Sequence, residues 1–134
     1  MIKRFFILFL CIFFANFSYC SEDLSTVIKL INNAQYEEAI KLLETEGEQN
    51  DILLTIAYIG KKDFKTAKIF ALQYWLQNEN DVLINYLLAL ICEELKEYNA
   101  SLMYWNIILK NAKESSVKNL AKKHIEVLKK LTQD

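Results

Sequence analysis

The chain has 134 residues, 53% of them hydrophobic and 25% charged, with no proline, two glycines and a formal net charge of −1 at pH 7. That length suits one domain, and that hydrophobic content excludes a disordered chain. So few helix breakers leave long unbroken stretches, which points to an all-α fold.

Residues 1–20 read as a secretory signal peptide. Lys3 and Arg4 make a short basic start, Phe5 to Phe14 is an uninterrupted apolar run, and Ala15 to Cys20 leads into the acidic Ser21-Glu22-Asp23. The apolar run is short for a membrane span. Ser18 and Cys20 stand at the third and first places before a cut after Cys20. A competing reading takes Phe17-Ser18-Tyr19-Cys20, which resembles a bacterial lipobox, with Cys20 as the acylated first residue of the mature chain. A third leaves the segment uncut as an N-terminal anchor. All three place residues 21–134 outside the cytoplasm, either periplasmic or membrane-anchored and facing the periplasm or cell exterior. Of the three cysteines only Cys92 then lies within the domain. It sits in the apolar run Leu87 to Cys92 beside Glu93 and Glu94, where a small buried side chain is expected rather than a reactive thiol.

Apolar residues then recur at helical spacing. A first helix is expected over about 23–32 (Leu24, Val27, Ile28, Ile31), stopped by Asn32-Asn33, and a second over about 35–46 (Tyr36, Ala39, Ile40, Leu43), ended by Gly47. A third, 51–59, is apolar nearly all round and so must be covered on more than one side. Gly60 is expected to stop it in the left-handed conformation, and Asp63 to cap a fourth helix over about 64–77. A fifth follows over about 81–95 and a sixth over about 98–111. A seventh is capped by Ser115 or Ser116, with the stripe Val117, Leu120, Ala121, His124, Leu128, Leu131. One apolar side and one lysine-rich side suit a helix that closes the end of a stack.

Three turns share an aromatic followed three residues later by a small side chain: Tyr36 and Ala39, Phe64 and Ala67, Tyr98 and Ser101. The aromatics at 36, 64 and 98 are spaced by 28 and 34 residues. With Leu88-Ala89, Trp105, Leu54, Tyr58 and Leu43, these positions resemble the tetratricopeptide repeat family over about residues 23–131. The 28-residue spacing implies that the third helix is short by more than a turn. The resemblance implies a solenoid of about three helical hairpins with a C-terminal capping helix. In it the small residues sit where two helix backbones cross, and the aromatics wedge successive pairs apart.

It also implies that the first helix of each pair lines a concave groove. Residues expected there are Ile28, Ile31, Ile52, Ile56, Ile59, Leu83, Tyr86, Leu90 and Glu93, an apolar set suited to an unidentified protein or peptide. Burial of the same side chains by neighbouring helices is the competing reading. Chemistry is not indicated. The one histidine, His124, lies in an apolar stripe, Glu37-Glu38 and Glu93-Glu94 point about 100° apart on a helix, and no phosphate loop, metal set or Cys/His pair stands out, so no cofactor or catalysis is expected. Trp75 and Trp105 fall in packing stripes, which does not suggest nucleic acid. Charge is uneven: eight acids and two lysines over 21–60 give −6, seven lysines and two acids over 110–130 give +5. These are solvated faces, or ends that meet an anionic surface or join copies of the chain. The expected function is an exported, non-catalytic scaffold for an envelope partner, with self-association as the alternative. The membrane is met only through the N-terminal signal or a lipid on Cys20.

Overall fold

A computed structural model describes residues 22–45 and 50–132. The signal-peptide reading, the fate of Cys20 and the stop at Gly47 lie outside the described residues. Within them the chain is all-α: α1 Glu22–Asn32, α2 Tyr36–Thr45, α3 Asp51–Gly60, α4 Phe64–Trp75, α5 Val82–Glu94, α6 Tyr98–Asn111 and α7 Ser115–Leu131. Each helix packs on the next, α3 also touches α1 and α5, and α2 and α7 do not meet. The core runs through the stack from Val27 on α1 to Leu128 on α7.

The three hairpin turns have one geometry. Ala34, Lys62 and Lys96, each two residues before the turn aromatic, adopt φ of 60°, 63° and 60°. In each turn the following residue donates its backbone N–H back to a carbonyl five residues earlier: Gln35 to Leu30, Asp63 to Tyr58, Glu97 to Cys92. This is the 6→1 bond of a Schellman ending, built without glycine at its left-handed position. The expectation for Gly60 is therefore corrected. It is the last residue of α3, and the left-handed residue is Lys62. What requires glycine at position 60 is proximity: an added Cβ would stand 2.3 Å from Cε1 of Tyr36. Tyr36, which opens α2, thus lies on the end of α3 and joins the first hairpin to the second.

Gly60→Ala should accordingly destabilise. Helix propensity alone would favour alanine by about 1 kcal/mol, but displacing a packed ring costs about 1–3 kcal/mol. We expect a net loss of up to about 2 kcal/mol in urea unfolding. The same change made beside Tyr36→Ala should be neutral or stabilising. A loss of equal size in both backgrounds would rule out the ring contact as the cause.

Side chains cap three helices, with Asp63 as expected. Asn50, Asp63 and Asp81 accept the N–H groups of Leu53, Thr66 and Ile84 at 3.1, 3.1 and 3.0 Å. At α7 the serines do not cap: Glu114 holds the cap position without a side-chain bond, and Ser115 is already helical. α3 has 10 residues against 13 in α5, three fewer, just under one turn where the spacing implies more than a turn. Ala39, Ala67 and Ser101 are fully buried, and Ser101 Oγ donates to the Ala89 carbonyl at 3.0 Å across the α5–α6 crossing. A larger side chain there would force the two backbones apart.

Candidate functional site

The expected groove residues divide between core and surface. Ile31, Ile56 and Tyr86 are buried in the core, at 7%, 2% and 7% exposure, so a partner cannot reach them. Ile28, Ile52, Ile59, Leu83 and Leu90 are half-buried and pack against that core with one side. Their helices, α1, α3 and α5, are the ones that stack directly on one another.

Glu93, the last of the expected set, is the centre of a polar cluster. It stands in the final turn of α5, and one oxygen, Oε1, accepts from Trp105 Nε1 at 2.7 Å and from His124 Nδ1 at 2.9 Å, with Ser101 Oγ 3.3 Å away sharing its single proton between Oε1 and the Ala89 carbonyl. An ionised carboxylate only accepts, so the proton of this contact sits on Nδ1 of His124. Burial pushes the Glu93 carboxyl up, but the bonds from His124, Trp105 and Ser101 and the His124 charge outweigh it and hold the group below the usual range. The Trp105 ring is fully buried and stacked on the His124 ring, centroids 4.1 Å apart, with Tyr86 edge-on at 5.7 Å. One side chain of α5 therefore ties together α6, through Ser101 and Trp105, and α7, through His124.

Above the cluster an open cleft of about 510 Å³ lies between the α5–α6 turn and the last turns of α7. Glu94, Lys96 and Lys123 border it, and Tyr98, Val127 and Leu131 supply apolar surface. Val127 and Leu131 are 57% and 49% exposed. The apolar stripe expected on α7 thus differs at two points: Ile125 belongs to the core, and Leu131 faces solvent.

The arrangement holds protons and helices rather than an activated nucleophile. Ser101 is buried and donates to Ala89, and Cys92 is buried, its thiol pushed up to about 11 chiefly by that burial. Among the described residues no group of histidine, cysteine, aspartate and glutamate could hold a metal ion, and no helix is long and apolar enough to cross a membrane. Sequence reasoning placed Glu93 in the groove and His124 in a packed stripe, but did not pair them. They are 31 residues apart, on helices whose relative roll is set only by packing. A scan against protein-family models and searches of curated proteins and of solved structures find no match to this chain.

Proposed function

We propose that this protein is an exported, non-catalytic helical-repeat scaffold, tetratricopeptide-like in plan, that grips a protein partner in the cell envelope. The observation that supports this most is the repeated turn. Three hairpins close with a left-handed residue at the same position and the same backward hydrogen bond, and their first helices stack side by side. Stacking of that kind gives a continuous surface instead of a single enclosed cavity. Ile28, Ile52, Ile59, Leu83 and Leu90 lie on those helices, half-buried, and supply apolar contact for a bound segment. The Glu93–His124 pair serves this reading as a pin that fixes the last helix against the third hairpin.

Photo-crosslinking in intact cells tests it. A photoreactive residue at Leu83 or Leu90 should give a discrete adduct with one envelope protein. The same residue at Ile69 or Met103, exposed positions on α4 and α6, should not. No adduct from Leu83 and Leu90, or the same adduct from all four positions, would rule out the groove as the binding face. A product confined to the cytoplasmic fraction would rule out export.

A further inference from the structure

The exposed faces of α2 and α7 carry charge patterns of opposite sign, three glutamates around a lysine on α2 and four lysines around a glutamate on α7. On α7, Glu126 is surrounded by Lys122 and Lys123, four and three residues before it, and by Lys129 and Lys130, three and four after it. On α2, Lys41 is surrounded by Glu37 and Glu38, four and three residues before it, and by Glu44, three after it. All of these side chains are exposed. At those spacings each set occupies one helical face with its odd charge in the middle. Laid face to face, every lysine of the α7 ring meets a glutamate or the edge of the α2 ring, and Glu126 meets Lys41. Because the four lysines stand symmetrically about Glu126, three of them meet the three glutamates in either helix direction. Within one molecule the two helices do not touch.

From this we infer that the protein associates with a second copy of itself head to tail, the lysine face of α7 seated on the glutamate face of α2 of the next molecule. This goes beyond the scaffold reading and does not depend on it. The local partners of these charges leave them available. Lys130 meets Glu126 at 3.3 Å with both side chains over 70% exposed, and Glu37 meets Lys61 at 3.5 Å while itself 84% exposed. Such exposed pairs exchange readily for others. Val127 and Leu131, exposed on the flank of the same α7 face, add apolar contact beside the charges. The contact is heterologous, since it joins two different faces. Each molecule keeps one free end of each kind, and the assembly grows as a chain or closes as a ring.

Two neutralised variants of the full chain, purified as the cell processes it, provide the test. One carries Lys122→Gln, Lys123→Gln, Lys129→Gln and Lys130→Gln, the other Glu37→Gln, Glu38→Gln and Glu44→Gln. In sedimentation at about 0.02 M ionic strength the unaltered protein should rise in mass with concentration, and at about 0.5 M it should not, because screening there reaches contact distance. Each variant alone should associate at least tenfold more weakly at low salt. Mixed, they retain one matched interface and should form a one-to-one dimer that grows no further. The double change Lys129→Gln and Lys130→Gln should fall between the unaltered protein and the fourfold variant. A monomeric unaltered protein at low salt overturns the inference. So does undiminished association of either variant, or a mixture in which no dimer forms.

Discussion

Asn85→Leu should be among the most damaging single substitutions in the chain, although it replaces the one polar side chain in the first two turns of a mainly apolar helix with an apolar one. Asn85 is fully buried, and its amide nitrogen donates to the Glu79 and Asp81 carbonyls at 2.8 and 2.7 Å. Its oxygen accepts from Trp75 Nε1 at 3.2 Å. One side chain thereby fastens the α4–α5 connection to α5 and fixes the indole at the end of α4. Leucine fills the volume but makes none of these bonds, leaving the Glu79 carbonyl and an indole N–H to find water, while the Asp81 carbonyl keeps the backbone N–H of residue 85 at 3.2 Å. Each such group costs about 1–3 kcal/mol when stranded. Because Trp75 is only half-buried, we expect a total near 3 kcal/mol, about a third of a typical domain's stability. Urea unfolding followed by circular dichroism measures the loss. Asn85→Asp, which keeps the acceptor for Trp75 but turns a carboxylate oxygen onto the two carbonyls in a fully buried site, should cost at least as much at neutral pH. A loss below about 1 kcal/mol for Asn85→Leu would mean that the connection holds without the amide.

Asn85 also shows where reading the sequence stops. The helices were legible because apolar spacing and caps are local: α6 begins at Tyr98 and ends at Asn111 as the periodicity predicts, and Asp63 caps α4. A lone asparagine inside Val82 to Cys92 breaks that periodicity without saying what satisfies it, because its partners lie in a connection folded back over the helix. The left-handed residues were hidden for another reason. Lysine at positive φ costs about 1–2 kcal/mol and has no sequence signature, so Gly60 drew the assignment that belongs to Lys62. The buried members of the expected groove, Ile31, Ile56 and Tyr86, were misplaced because helical spacing identifies the apolar face but not how deeply neighbours cover it.

Removing the Glu93 carboxylate should cost about as much as removing the Asn85 amide, and the loss should depend on pH. In Glu93→Ala the buried Trp105 N–H loses its acceptor at 2.7 Å, and His124 loses the bond that ties α7 to α5. Hydrogen bonds to a charged acceptor contribute about 1.5–3 kcal/mol each, and Ser101 keeps its bond to Ala89. Since His124 is partly exposed and can turn to water, we expect about 3 kcal/mol at neutral pH. Glu93→Gln keeps a neutral acceptor for Trp105 and should lose about half as much. The carboxyl titrates lower in the folded chain than in the unfolded one. Its contribution is therefore fully present above the unfolded glutamate value, about 4.3, and is lost as the pH falls through the folded value. The gap in stability between the parent and Glu93→Gln should shrink as the pH falls below about 4. A second readout separates a pin from general packing. Because the His124 ring stacks on Trp105, Glu93→Ala should free the imidazole and change the Trp105 fluorescence in the folded state, measured with Trp75→Phe in the background to leave one indole. A folded Glu93→Ala protein with unchanged Trp105 emission and a pH-independent stability gap would mean that Glu93 merely fills space, and that α7 is held by its contacts with α6 alone.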